Sequence, residues 1–95
     1  MNLGELINDP TTTLVDVRSP VEFKGGNVVG SVNIPLEEIP ERVEEFKEMA
    51  GSIVVFCVSG MRSGQAASFL NTKGVTSIYN GGGWKDIKDL KSVTV

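Results

Sequence analysis

The 95-residue sequence predicts an α/β fold built on a parallel sheet. Short β-branched or apolar segments alternate with stretches of helical periodicity, joined by connections of a few residues, as in consecutive β-α-β units. One segment, Ile53-Val54-Val55-Phe56, is almost unbroken in its apolar character, as a strand covered on both faces must be. With 40% hydrophobic and 22% charged residues in 10.2 kDa, the composition is that of a single globular domain over residues 1–95. No repeat, low-complexity tract or linker interrupts it.

Each element has a local cause. Asn2 and Glu5 stand at capping-box spacing, and Leu3, Leu6 and Ile7 share a helical face before Asn8-Asp9-Pro10 stops the helix. Residues 11–17 are rich in β-branched side chains and read as a strand. Ser19, Pro20 and Glu22 fall at N-cap, N1 and N3 of a helix that Gly25-Gly26-Asn27 keeps short. A second strand is expected near residues 31–34. Leu36, Ile39, Val43 and Phe46 then recur at helical spacing, with Pro40 dividing the stretch into a turn and a helix over about 40–49. The glutamates at 37, 38, 41, 44, 45 and 48 lie mostly on other faces and read as a solvated surface. The central strand covers 52–57, a helix 65–73 with Gly74 at its C′ position, a short strand 75–79, a glycine loop 80–83 and a last helix 84–90.

Composition removes several function classes. The net charge of −3 and pI of about 4.8, with nine scattered Lys and Arg, argue against a nucleic-acid surface. The absence of histidine excludes Cys-His and Ser-His pairs and any histidine metal site, so no metal or other cofactor is expected. A single cysteine, Cys57, excludes an internal disulfide and a Cys-x-x-Cys centre, so thiol chemistry here uses one sulfur and a second molecule. No apolar run approaches the roughly 20 residues that span a bilayer. The first ten residues lack a basic n-region and an apolar h-region, so the expected location is the cytoplasm.

The segment Cys57-Val58-Ser59-Gly60-Met61-Arg62-Ser63-Gly64 lies where the buried strand gives way to a helix. Ligand sites in open parallel sheets lie at the carboxyl ends of strands. Backbone N–H groups and the positive end of the helix dipole stabilise an anion there, thiolate included. Gly60 allows the loop to curl around the sulfur, and Arg62 supplies a permanent charge able to hold an anion or orient the loop. Taken alone, Cys57 fits better as an apolar residue ending a buried strand. Its company of Gly60, Arg62 and Ser63 at this junction turns the reading toward function. Asp16 and Arg18 read as a structural salt bridge rather than as charged support of the site. Trp84 reads as the anchor of the last helix, and Lys85 and Lys88 as solvated.

These segments together resemble the rhodanese family along nearly the whole chain. Leu14-Val15-Asp16-Val17-Arg18-Ser19-Pro20-Val21-Glu22-Phe23 is similar to its first signature, and Gly26-Asn27-Val28-Val29-Gly30-Ser31-Val32-Asn33-Ile34-Pro35 to its continuation. Residues 57–63 resemble the active loop of single-domain members. Asn80-Gly81-Gly82-Gly83-Trp84-Lys85-Asp86-Ile87 resembles the C-terminal signature in the form found among relatives of phage shock protein E. The resemblance implies a central parallel sheet of four to five strands flanked by helices on both faces.

It also implies a double-displacement sulfurtransferase with Cys57 as sulfur carrier. The donor is a small molecule such as thiosulfate, the acceptor cyanide or a thiol, and a protein persulfide is an alternative donor. Backbone N–H groups from Val58 to Ser63 would cradle the persulfide, Arg62 would close the loop, and Val58, Ser59 and Met61 would line its mouth. A monomer is expected, without nucleic-acid or membrane partners; periplasmic location follows if a leader is removed, since relatives are often exported. Asn27 stands where the family usually has histidine, with little catalytic consequence expected. The single basic residue of the loop counts against thiosulfate as the natural donor. The family's first short strand is expected to be absent or confined to Met1 to Leu3. Competing readings are a persulfide relay, a non-catalytic rhodanese binding module, and a cysteine phosphatase or arsenate reductase. The last uses five residues between Cys and Arg, where this chain has four.

Overall fold

The apolar run at the centre of the sequence becomes a central strand, β3 (Ile53–Cys57), buried at every position. In a computed structural model that describes residues 2–91, it pairs in parallel with β1 (Thr13–Asp16) on one side and β4 (Ile78–Gly83) on the other. The short β2 (Val32–Asn33) extends the sheet beyond β1, giving the order β2-β1-β3-β4 with every pair parallel.

Strand alternation divides the core into two layers. Val15, Ile53, Val55 and Cys57 face one side, with Ile39, Phe46, Ala66 and Leu70 from the 3₁₀ segment Leu36–Glu41, α3 (Val43–Lys47) and α4 (Met61–Thr72). Leu14, Val54 and Phe56 face the other, against Leu6 and Ile7 of α1 (Leu3–Asn8) and Ile87 of α5 (Trp84–Leu90). Helices therefore cover both faces, and β3 is apolar throughout because neither face meets water.

The remaining helix, α2 (Pro20–Lys24), begins on a complete capping box: Ser19 accepts from the Glu22 N–H, and the Glu22 carboxylate accepts from the Ser19 N–H. Asn2 caps α1 by accepting from the Glu5 N–H at 2.8 Å. Asn2 and Leu3 thus open a helix, so residues 2 and 3 do not form the family's first strand; Met1 lies outside the described residues.

Three expectations need correction. The helix expected over 40–49 is a 3₁₀ segment through Pro40 followed by α3 from Val43, because proline has no N–H to offer an α-helical ladder. The helix expected from 65 starts at Met61, which places Arg62, Ser63 and Gly64 in its first turn. The strand expected over 75–79 runs from 78 to 83, so the glycines read as a loop are strand residues. Among the described residues, no helix is long and apolar enough to cross a membrane.

Candidate active site

The chain runs from β1 outward to β2 and then returns to lay β3 on the opposite side of β1. At such a reversal the connections leaving the two neighbouring strands diverge and open a crevice at their carboxyl ends. Cys57 ends β3 there, beside Asp16 at the end of β1.

The Cys57 side chain lies on the α4 face and is only 1% exposed. The chain then turns through Val58 and Ser59 to Gly60, whose φ of 94° is left-handed and suits a residue without Cβ. That turn brings the Gly60 N–H to 3.1 Å from Cys57 Sγ, and the Ser63 hydroxyl lies 3.5 Å from the same sulfur. Burial pushes the Cys57 thiol up. Hydrogen bonds from the Ser63 hydroxyl and from the N–H groups of Ser63, Gly60 and Ser59 outweigh it and bring the pKa down to about 7. Near neutral pH a large share of the sulfur is therefore thiolate, the nucleophilic form.

Val58 and Met61 are exposed at 56% and 75%, on either side of Gly60. Arg62 turns toward α2, where its two terminal nitrogens donate to the two Glu22 oxygens at 2.8 and 3.0 Å. Arg62 and the Ser19 N–H together hold the Glu22 carboxyl down to about 2. Glu22 thus both caps α2 and docks it on the loop. Only the capping role could be read from the sequence, because Arg62 lies 40 residues away.

Asp16 and Arg18 form a second pair, at 0% and 3% exposure. Arg18 Nε and a terminal nitrogen donate to the Asp16 carboxylate, the latter at 2.6 Å, and the guanidinium also reaches the Gly26 carbonyl at 2.7 Å. Its Cζ lies 4.4 Å from the centre of the Trp84 ring, and Lys85 and Lys88 approach that ring at 5.9 Å each. This group joins β1, α2 and α5. Asn27 donates to the Phe23 carbonyl at the end of α2. Asn80, which the sequence placed in a loop, accepts from the Ser63 hydroxyl at 2.7 Å and donates to the Gly60 carbonyl at 3.0 Å.

Residues 2–90 match the rhodanese-like domain family. The uncharacterized protein YqhL of Bacillus subtilis is 42% identical over 73 residues, which are 76% of this chain and 57% of that protein. The thiosulfate sulfurtransferase PspE of Escherichia coli is 39% identical over 74 residues, 77% of this chain and 71% of PspE. A tRNA uridine(34) hydroxylase of Pelagibacter ubique is 34% identical across 93% of this chain but only 31% of its own length. Among solved structures, a rhodanese with anions from E. coli superposes with a TM-score of 0.71 at 37% identity, covering 79% of this chain and 89% of that one. The sheet order, the strand-end cysteine and these likenesses agree, and the chain belongs to the rhodanese-like domain family, several of whose members are sulfurtransferases.

Proposed function

We propose that this domain transfers sulfane sulfur through a persulfide on Cys57. The carrying observation is a sulfur at a strand end, contacted by the Gly60 N–H and the Ser63 hydroxyl and poised near neutral pH. The Cys57 thiolate attacks the outer sulfur of a donor such as thiosulfate. A new S–S bond forms on Cys57 while the donor's S–S bond breaks, and sulfite leaves with the electron pair. Cyanide or a thiolate then takes the terminal sulfur, becoming thiocyanate or a new persulfide and returning the Cys57 thiolate. A preformed thiolate needs no general base, in keeping with a chain without histidine. Backbone N–H groups of residues 58–63 stabilise the persulfide anion, Val58, Ser59 and Met61 line the mouth, and Arg62 fastens the loop through Glu22. The reaction calls for no cofactor, and the domain acts as a monomer on small donors and acceptors.

One observation favours a second reading, a relay loaded by a protein persulfide. Arg62, the loop's one basic side chain, is already neutralised by Glu22, which leaves it little attraction for a thiosulfate dianion. The phosphatase reading has less support, since four residues between Cys57 and Arg62 make a narrower loop than a tetrahedral oxyanion uses.

Intact mass after incubation with thiosulfate, then with cyanide, tests the proposal beside Cys57→Ser. The expected result is a gain of one sulfur atom that cyanide removes and that the variant never acquires. Sulfur gained only from a cysteine desulfurase would select the relay. No gain from either would overturn sulfur transfer in favour of a binding module.

A further inference from the structure

One side chain of β4, Asn80, is hydrogen-bonded to two residues that contact the Cys57 sulfur. In the β3–β4 ladder, Val55 faces Asn80 but Cys57 faces Gly83, so β4 has one residue more than β3 across the same span. Such a bulge bends a strand and re-aims its side chains. Here the extra residue is accommodated by glycines. A Cβ on Gly81 would stand 2.7 Å from Val54 Cγ1 and 2.9 Å from Ile87 Cδ1, and Gly82 has a left-handed φ of 84°. The bulge brings Asn80 against the Cys57 loop.

The orientation of the Asn80 amide follows from its backbone partners. Oδ1 accepts from the Gly82 N–H at 3.0 Å, and Nδ2 donates to the Gly60 carbonyl at 3.0 Å. One partner can only donate and the other only accept, so the amide has one satisfying orientation. Oδ1 also accepts from the Ser63 hydroxyl at 2.7 Å, so it competes with Cys57 Sγ for the one proton that hydroxyl can donate. Gly60 and Ser63 both hydrogen-bond to Cys57 Sγ, and Asn80 holds both. The Gly60 carbonyl also accepts the Gly64 N–H at 2.9 Å, so Asn80 pins the start of α4 as well.

We propose that Asn80 is a positioning residue for the Cys57 sulfur, acting through Gly60 and Ser63. Solvent reaches Asn80, so no one of its bonds is strong. Their convergence on one planar group fixes the geometry. The inference rests on Cys57 as the reacting thiol.

The charged groups around the site are Arg62 on α4 with Glu22 on α2, the Asp16–Arg18 pair at the end of β1, and Asp86 in the first turn of α5. Asn80 hydrogen-bonds to none of them, so its removal leaves their fields in place.

The test is the pH profile of Cys57 alkylation by iodoacetamide in the full chain, for wild type, Asn80→Ala and Asn80→Asp, each with and without Ser63→Ala. Alkylation reads the thiol itself, so it stands whether or not the protein moves sulfur. In Asn80→Ala the Gly60 N–H loses its aim, which raises the midpoint, while the released Ser63 hydroxyl turns its proton to the sulfur and offsets part of the rise. The near-isosteric Asn80→Asp should raise it further, because a carboxylate repels the Gly60 carbonyl and keeps the Ser63 proton. With Ser63→Ala that offset is gone, and Asn80→Ala should raise the midpoint by about half a unit to one unit. Where sulfur loading is measurable, kcat should fall about fivefold with donor KM nearly constant. An unchanged or lowered midpoint when either Asn80 variant is added to Ser63→Ala, with only the melting temperature reduced, would overturn the proposal. An Asn80→Ala shift that Ser63→Ala leaves no larger would do so as well. Asn80→Asp keeps the question answerable should the alanine variant not fold.

Discussion

Two arginine–carboxylate pairs sit at this strand end, and they differ in their access to water. Asp16–Arg18 is sealed from solvent, joined to Gly26 and covered by Trp84. Glu22–Arg62 has the same bidentate chemistry, but each side chain is about one-third exposed, at 34% and 37%. A buried pair makes removal of one partner costly, because the other charge is left without water or counter-charge. An exposed pair can be opened for little, because solvent replaces what is lost. The first is a fixed joint between β1, α2 and α5, and the second an adjustable latch between α2 and the loop.

The comparison is sharpest in Arg18→Met, which abandons the Asp16 carboxylate in the core. It should lose about 3–5 kcal/mol in urea denaturation, and a loss below about 1 kcal/mol would make the joint no different from the latch. Arg62→Met should lose no more than about 1 kcal/mol. Its sulfur loading should nevertheless fall several-fold, because the first turn of α4 is no longer held to α2; an unchanged loading rate would remove Arg62 from the site.

The smallest effect is in acid. Glu22 has a folded pKa of about 2 against an ordinary 4.5, so its ionised form favours the folded state. That contribution is fully present above pH 4.5 and is lost as pH falls toward 2. With the pair this exposed it amounts to less than about 1 kcal/mol. Glu22→Gln should therefore melt slightly below wild type at neutral pH, and the gap should close in acid. A gap independent of pH would mean that the ionisation of Glu22 contributes nothing to folding stability.

The parts of the molecule written in local chemistry were legible in the sequence. Ser19, Pro20 and Glu22 announce α2, Ile53 to Phe56 announce a doubly covered strand, and Cys57 with Gly60 and Arg62 mark the strand-to-helix turn. What escaped depends on partners distant in the chain. Glu22 had a complete local role, so nothing in its surroundings called for Arg62. The start of α4 was set too late because Gly60 and Gly64 resemble helix breakers, whereas Gly60 is the N-cap and Gly64 lies inside the first turn. Asn80 was hidden by its glycines, since a bulge is a property of two strands in register and one strand's sequence does not show it.

The missing histidine has a further consequence. Asp and Glu ordinarily titrate well below neutrality and Lys and Arg well above it, so a chain without histidine has no side chain whose ordinary value falls between about pH 6 and 8. Into that empty interval the loop brings one thiol, at about 7. On a molecule of net charge −3, ionising that single sulfur adds about one negative charge, and capping it with a neutral group removes that charge again. The chemical state of Cys57 can therefore be read by native electrophoresis of the whole protein at about pH 8, where the thiolate dominates, without a label and without a substrate.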